Sequence, residues 1–499
     1  MNFIKKILGN NNNRQTQLDV KKVNDINISS DITLRNTATG QLEKFAPIND
    51  KNVKIYSCGP TVYDRAHIGN MRSFVVVDIL KRILTGTGYT VEHTINFTDF
   101  GHLSENDSGE DKMTKGLIRE GLPITMEAMR ELSDRYIEVF KDDFAELNII
   151  PPTVWARASN YIKEQIKLIK ILEEKGFTYE TSDGLYFSVE KFSDYGRLEN
   201  ININNIKAGA RVEINKEKHH PADFAVWKKG DLGWDSSWGK GFPGWHIECS
   251  SMALETLGEE IDIHTGGEDL ASVHHNAEIA QSEAVTGKTF VRYWIHNAFI
   301  TIDNTKVSKS IGNTITMGDL LKKGFSGDDY RYWLLTAHYR SPINFSWEAM
   351  ANAKQALVRL KRHMYEEYKQ EAGLPDHDYL NKFNLCLKND MDTPGALAIL
   401  WEVVKNDNLT RKTKCGTLLA MDDIFDIGLS KKPDEGLKDL GIISLEDLPS
   451  EIHELIQQRE IARAVKNWVE ADRLRDLIKQ AGYEIKDSKQ GVKVIKITD

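Results

Sequence analysis

The spacing of apolar residues predicts alternating strands and helices in the first part of the chain. A short strand is indicated at 54–57, and a helix follows over 67–84 after Gly59 and Pro60. The apolar residues on one face of this helix are Met71, Val75, Ile79 and Ile83. A second strand is indicated by the alternation of Val91, His93, Ile95 and Phe97. Strand, turn, helix and strand in this order open a doubly wound parallel sheet of the Rossmann type.

An insertion is predicted to split this sheet. Residues 101 to about 222 are charged and mostly helical in pattern, with an acidic loop at HLSENDSGEDK. Strand and helix patterns then return in three stretches, which are IDIH, SVHHNAEIAQSEAV and RYWIHNAFITID. Two halves of one sheet with an insertion between them is the simplest explanation.

The rest of the chain predicts three further regions. Residues 1–30 are expected to be a poorly ordered, Asn-rich extension, and 31–346 the α/β domain with its insertion. Residues 347–430 have an amphipathic helical pattern, typical of a helical bundle. Residues 449–499 predict a small C-terminal domain with one long helix, EIARAVKNWVEADRLRDLIKQAG, and a strand-like tail.

Composition and charge describe an ordinary globular protein. Net charge is −9, from 65 Lys and Arg against 74 Asp and Glu, so RNA binding would depend on local basic surface. The cysteines are too few for a disulfide framework, which favours a reducing cytoplasm: Cys58, Cys249, Cys386 and Cys415. No apolar run approaches the ~18 residues of a membrane span, and the first residues lack the apolar core of a secretory signal.

The first motif with candidate chemistry is CGPTVYDRAHIGN, residues 58–70. It places small and polar residues where a strand leads into a helix N-terminus, and free backbone N–H groups favour a polyphosphate there. On these residues alone, His67 is more often a capping or core histidine than a catalytic group.

The second motif is KVSKS, residues 306–310, followed by Ile311, Gly312 and Asn313. Two lysines and two serines close together can neutralise phosphates during nucleotidyl transfer. An exposed basic turn would explain the same composition.

Together these motifs resemble the paired HIGH-like and KMSKS-like signatures of class I aminoacyl-tRNA synthetases, which hold ATP between the two halves of a split sheet. The resemblance implies that His67 and Asn70 contact the triphosphate of ATP, which binds with Mg²⁺. It also implies that Lys306 and Lys309 act in catalysis and that Lys309 binds ATP. Asn70 replaces the second histidine of the general signature, and Val307 replaces methionine.

Four further residues could bind a metal, namely Cys58, Cys249, His274 and Glu278. Two thiolates, an imidazole and a carboxylate suit tetrahedral Zn²⁺. His274 and Glu278 are four residues apart and would share a helix face, so they could also be a plain surface pair. Spacing alone does not decide between these interpretations.

From about residue 31 to its end the chain resembles cysteinyl-tRNA synthetases. The matching stretches are YSCGPTVYDRAHIGNMR, PADFAVWKKG, WDSSWGKGFPGWHIECSSMALE, DIHTGGEDL, HHNAEIAQSEA and KVSKSIGN. The resemblance implies that the four candidate ligands hold one Zn²⁺ per chain, with an open position for the substrate thiolate. It further implies that Thr98, Trp245 and His264 line a cysteine pocket, although ordinary packing could also explain them.

The resemblance implies a ligase that activates L-cysteine with ATP and transfers it to tRNA-Cys, acting as a monomer. Departures from the family pattern are HHNAE for HHENE, DIHTGG for DIHGGG and the acidic loop after Asp99. An apolar pocket separates close isosteres only about 10- to 200-fold, whereas a thiolate binds Zn²⁺ strongly and a hydroxyl binds it poorly.

The C-terminal pattern implies an anticodon contact through Trp468 and Asp472. An aromatic ring can stack on an unpaired base, and a carboxylate can accept a hydrogen bond from one. A buried core tryptophan is the alternative, because helical spacing also relates Ile461, Ala464, Val465, Trp468 and Leu474.

Two other functions fit parts of the sequence. A cysteine ligase of thiol metabolism would share the α/β domain but usually lacks a full anticodon module. An inactive paralogue acting as a zinc-stabilised binding protein would not need intact HIGN and KVSKS motifs.

Overall fold

The computed structural model describes residues 31–101, 111–201, 216–302, 305–306, 312, 314–443, 445–488 and 491–496. Its strands are β1 (Thr33–Asn36), β2 (Gln41–Lys44), β3 (Asn52–Ser57), β4 (Thr90–Phe97), β5 (Val154–Arg157), β6 (Thr178–Thr181), β7 (Gly184–Phe187), β8 (Phe224–Trp234), β9 (Gly241–Pro243), β10 (Ile261–Gly267), β11 (Val291–Asn297), β12 (Ile300–Ile302), β13 (Thr305–Lys306), β14 (Ile343–Phe345), β15 (Ile442–Ile443), β16 (Tyr483–Ser488) and β17 (Gly491–Lys496). Its helices are α1 (Ile68–Gly86), α2 (Lys112–Glu120), α3 (Met126–Glu146), α4 (Ile162–Glu174), α5 (Trp245–Leu257), α6 (Glu268–Leu270), α7 (Asn276–Thr286), α8 (Met317–Lys322), α9 (Gly327–Leu335), α10 (Trp347–Arg362), α11 (His377–Lys388), α12 (Thr393–Lys405), α13 (Arg411–Phe425), α14 (Pro433–Asp439), α15 (Ser450–Ala464) and α16 (Trp468–Gln480).

A parallel sheet in the order β11-β10-β3-β4-β5 forms the centre of the α/β region. Ile55 in β3 lies opposite Ile263 in β10 and His93 in β4, which fixes the register of the middle strands. The apolar face of α1 packs into the main core below this sheet. The split α/β fold predicted from the sequence is confirmed, with β3 and β4 in one half and β10 and β11 in the other.

The segment between the two halves differs in detail from the predicted helical insertion. Helices α2 and α3 occupy its first part, but β5 returns to the central sheet as a parallel neighbour of β4. Later residues form an antiparallel sheet in the order β6-β7-β8-β9, with its own aromatic core around Trp227. Short continuous apolar runs such as GLYF and FAVW were outweighed in the sequence by the surrounding charge.

Helices α10 to α13 pack together after the α/β region, in agreement with the predicted bundle.

The last region differs from the single helix predicted there. Its helix ends at Ala464, and a second begins at Trp468, because the turn between them places Lys466 in the left-handed region with a φ of 59°. A sheet in the order β15-β17-β16 packs against these helices.

In the ranges described above, no helix has both the length and the apolar character needed to cross a bilayer. The N-terminal extension predicted over 1–30 lies outside the described residues.

Candidate active site

The candidate site lies where the order of the central sheet reverses. After β3 the chain continues to β4 on one side, whereas β10 is followed by β11 on the other, so a crevice opens beyond the carboxyl ends of β3 and β10. Cys58 comes directly after β3, Thr98 directly after β4, and His264 lies in β10. The strand ends therefore bring together residues that are distant in the sequence.

The four predicted metal ligands meet in this crevice. Cys58, Cys249, His274 and Glu278 each offer a ligand atom, and these atoms all lie within 4.8 Å of one another. The two sulfurs are 3.9 Å apart, and His274 Nε2 lies 3.1 Å from Glu278 Oε1. Cys249 comes from α5, Glu278 from α7, and His274 from a π-helical turn that immediately precedes α7. The end of β3, which leads to Cys58, therefore joins α5, the π-helical turn and α7 in holding one compact donor set.

Charge within this cluster is strongly perturbed. The hydrogen bond from the Cys58 thiol is the main cause that lowers the pKa of Cys249 to about 6, and burial raises the pKa of Cys58 well above its usual value. Burial alone would lower the pKa of His274, but the Glu278 carboxylate and Cys249 outweigh it and raise the pKa to about 10. Burial likewise opposes ionisation of Glu278, but His264 and His274 lower its pKa to about 2. These shifts favour negative charge on Cys249 and Glu278 and positive charge on His274 within one buried space.

A second donor set shares two of these residues. Cys58 and Glu278 also lie within 4.8 Å of the imidazole nitrogens of His264 and His275. His264 Nε2 is 3.0 Å from Glu278 Oε2, and His275 Nε2 is 3.5 Å from the Cys58 sulfur. His264 and His275 either support the first set from outside or compete with it for a metal.

Other histidines hold the rings of this cluster in place. His246 Nδ1 lies 2.7 Å from His274 Nδ1, and His296 Nε2 lies 2.7 Å from His275 Nδ1. The second nitrogen of His296 reaches the Thr37 hydroxyl at 2.8 Å. A hydrogen bond to the outer nitrogen of a metal-binding imidazole fixes its tautomer and orientation. Sequence reasoning missed His246, His275 and His296; the one available signal was the three-residue spacing of His246 and Cys249 on a helix.

The predicted cysteine-pocket residues border the same cluster. The Trp245 ring lies 4.3 Å from the His274 ring, and His264 is fully buried against Trp294 at 4.6 Å. Thr98 donates to the carboxylate of buried Glu248 at 2.6 Å. A cavity of about 300 Å³ opens beside Trp245, between β8, β9 and α2. Of the three predicted pocket residues, Trp245 both lines this cavity and packs against the candidate ligand His274.

The first signature lies at the N-terminus of α1. His67 is its N-cap, with Nδ1 accepting from the Asn70 backbone N–H at 3.2 Å, and Asn70 Oδ1 accepts from the His67 backbone N–H at 3.3 Å. His67 is half-buried and Asn70 is exposed. The capping role considered for His67 is therefore real, and it holds both polar side chains beside the free N–H groups of the helix.

The second signature begins in β13. The backbone of Lys306 pairs with Thr301 in β12, and β12 also pairs with β14. Lys309 lies outside the described residues, as does most of the KVSKS motif.

The predicted anticodon residues lie far from the crevice in sequence, at the start of α16. Trp468 is 57% exposed, and Asp472 is exposed as well. The alternative of a buried core tryptophan is wrong, because the turn after Ala464 breaks the helical phase on which it depended. Ile461 and Val465 are also exposed, whereas Leu474 is buried.

Two family profiles match the chain. The class I tRNA synthetase (C) catalytic domain matches residues 44–355, and the cysteinyl-tRNA ligase anticodon binding domain matches 445–494. The cysteine–tRNA ligase of Treponema denticola is 41% identical over 487 residues, with 91% of this chain and 98% of the relative covered. Cysteine–tRNA ligase 1 of Burkholderia lata is 42% identical over 468 residues, with 92% and 96% covered.

Solved structures share the fold at low sequence identity. The Mycobacterium tuberculosis methionyl-tRNA synthetase bound by methionyl-adenylate matches with a TM-score of 0.53 and 14% identity, covering 80% of this chain and 95% of that one. The Agrobacterium radiobacter K84 LeuRS-tRNA-LeuAMS complex matches with a TM-score of 0.58 and 11% identity, covering 80% and 86%. These similarities extend to the fold alone.

Proposed function

We propose that this chain, which belongs to the class I cysteinyl-tRNA synthetases and is a cysteine–tRNA ligase, selects its amino acid with a bound metal. The metal is one Zn²⁺, held by Cys58, Cys249, His274 and Glu278. The observation that carries the proposal is the convergence of these four ligand atoms within 4.8 Å. Two sulfurs, one imidazole nitrogen and one carboxylate oxygen are a donor set that zinc accepts.

The surroundings of the cluster fit a metal. Cys249, His274 and Glu278 are almost completely buried, and His246 supports the outer nitrogen of His274. Bound Zn²⁺ would supply a Lewis-acidic position that accepts the substrate thiolate and disfavours a hydroxyl. Trp245, which packs on His274, would cover the bound amino acid, and Thr98 and His264 would complete the wall of the pocket.

We further propose that ATP binds with Mg²⁺ between the two signatures. His67 and Asn70 would orient the triphosphate beside the N-terminal N–H groups of α1. Lys306 and Lys309 would neutralise charge that develops on the phosphates while the cysteine carboxylate attacks.

tRNA-Cys is the proposed acceptor of the activated cysteine. The exposed ring of Trp468 is available to stack on an unpaired anticodon base, and Asp472 lies one turn further along α16. A monomeric state and a cytoplasmic location remain predictions.

Cysteine-dependent ATP–pyrophosphate exchange followed by charging of total tRNA tests the activity, and serine is the matched substrate control. Zinc content is measured for the wild type and two variants. Cys249→Ser should lose zinc and cysteine binding and retain ATP binding, whereas Cys386→Ser, which alters a thiol on α11, should behave as wild type.

Each outcome separates a different alternative. Exchange without charging would point to a cysteine ligase of thiol metabolism. Absence of both exchange and charging would point to a binding protein. Full zinc content and unchanged selection against serine in Cys249→Ser would refute the metal assignment.

A further inference from the structure

Arg72 makes an unusual set of contacts for a buried arginine. It lies near the start of α1 and is only 2% exposed. Its hydrogen-bond acceptors in the described part of the chain are all backbone carbonyl oxygens. They belong to Ala298 and Phe299, each 2.8 Å from Nη1, and to His338, Tyr339 and Ser341 at 3.2, 3.2 and 2.7 Å from Nη2.

These carbonyls come from two separate segments. Residues 298–299 lead from β11 into β12, and residues 338–341 lead into β14. The segments also bond to each other, since the Ala298 N–H donates to the Tyr339 carbonyl at 2.9 Å and the Ile343 N–H to the Phe299 carbonyl at 3.2 Å. Arg72 therefore fastens the common base of the β13-β12-β14 sheet to α1.

The second signature begins in that small sheet. Lys306 ends β13, and its backbone pairs with Thr301 of β12. On the far side of the motif, the Ile68 N–H donates to the Ile315 carbonyl at 2.8 Å, and His67 forms a β-bridge with Thr316. The described segments before and after KVSKS are thus both attached to the start of α1, where His67 and Asn70 lie.

We infer that Arg72 is a positioning residue for cysteine activation, which sets the placement of the β13-β12-β14 sheet, where the KVSKS motif begins, relative to His67 and Asn70. This inference rests on the proposed function. An arginine is required because its planar fork directs separate N–H groups to two segments, whereas a lysine ammonium is a single point of charge. Arg72 acts through the backbone and needs no contact with ATP.

Arg72→Lys and Arg72→Gln test the inference by cysteine-dependent ATP–pyrophosphate exchange. We expect kcat to fall about 10- to 100-fold, because misplacement of reacting groups by about 1 Å can cost that much. The KM for cysteine should stay within about twofold and zinc content should be unchanged, since Cys58, Cys249, His274 and Glu278 lie on other elements.

Arg331→Lys is the matched control. Arg331 is fully buried on α9, donates to the Leu147 carbonyl at 3.1 Å and to the Phe425 carbonyl, and pairs with Asp78. The Arg331→Lys substitution should lower the midpoint of thermal unfolding, without a selective loss of kcat at a temperature where the variant is folded.

Three results would overturn the role assigned to Arg72: an equal loss of kcat in Arg331→Lys, an effect confined to the KM for cysteine or to zinc content, or failure of both Arg72 variants to fold. The last result would make Arg72 a folding residue. Absence of cysteine-dependent exchange in the wild type would instead refute the proposed function itself.

Discussion

Which donor set binds the metal can be decided by ranking variants by their zinc affinity. Cys249 and His274 belong only to the first set, and His264 and His275 only to the second, while Cys58 and Glu278 are common to both. Cys249→Ser therefore removes a ligand from the first set alone, and His275→Ala removes one from the second set alone. His246→Ala leaves both sets intact and removes the support of His274 at 2.7 Å.

The expected magnitudes follow from the number of ligands. Structural zinc sites bind with about 10–16 kcal/mol, or about 2.5–4 kcal/mol for each of four ligands. At about 1.4 kcal/mol per factor of ten, loss of one ligand should weaken zinc binding about 10²- to 10³-fold. Loss of an outer hydrogen-bond partner costs about 10- to 100-fold. We expect Cys249→Ser to show the larger effect, and His246→Ala and His275→Ala to show the smaller one.

Competition with a chromophoric zinc chelator at neutral pH measures these affinities, with circular dichroism as the check that each variant is folded. Cys386→Ser serves as the thiol control. Cobalt in place of zinc should give a sulfur charge-transfer band that grows on addition of cysteine and does not respond to serine. The assignment is wrong, and the metal belongs to the second set, if the zinc affinity of His275→Ala falls more than about 100-fold while that of Cys249→Ser stays within about threefold of wild type.

Other regions of the protein give separate expectations. Trp468→Ala should reduce tRNA charging and leave cysteine-dependent exchange intact, because the exposed ring contributes little to folding; a stability loss above about 0.5 kcal/mol by urea unfolding would contradict this. Lys309→Ala should lower kcat for exchange far more than it raises the KM for cysteine, and a raised KM with normal kcat would refute its role on developing charge. Burial holds the pKa of His93 well below its usual value. Below about pH 6.5 the His93 imidazole therefore takes up a proton in the unfolded chain but not in the folded one, so the free energy of unfolding falls as the pH falls. Between pH 7.5 and 5.5 the free energy of unfolding, measured with urea, should therefore fall by about 1 kcal/mol less in His93→Gln than in the wild type. Equal falls would show that other groups dominate.

The spacing of apolar residues was enough to predict those strands and helices in which a single helical or strand repeat is kept throughout. The strand at 54–57, the helix over 67–84 and the split sheet were predicted because each strand or helix has a clear apolar repeat. The antiparallel sheet of the insertion was missed, since β6, β7 and β9 have four residues or fewer. The turn at Val465 was missed because one left-handed residue, Lys466, interrupts a pattern that otherwise continues in phase.

The candidate site was predictable only by resemblance. Cys58 and Glu278 are 220 residues apart, and nothing in their spacing says that the end of β3 and helix α7 bring their side chains to 3.5 Å from each other. His246 and His275 could not be separated from ordinary core histidines, because their roles depend on which ring nitrogen faces the cluster. A second donor set overlapping the first is likewise a property of the folded crevice, where Glu278 has one oxygen near His274 and the other near His264.

The proposed cysteine-selecting site and the proposed ATP site lie in regions of different character, and this has a functional consequence. Cys249, His274 and Glu278 are buried, and the donor set is held by the end of β3, α5, the π-helical turn and α7, which would suit a test of the substrate that depends on fixed coordination geometry. The predicted ATP signatures instead begin at the partly exposed start of α1 and in β13, a strand of the small sheet attached to α1 through Arg72. Changes near Cys249 should therefore act on cysteine binding and selectivity, and changes around Arg72 on the rate of activation. A single variant that altered both by the same factor would show that the two regions are mechanically coupled through α1.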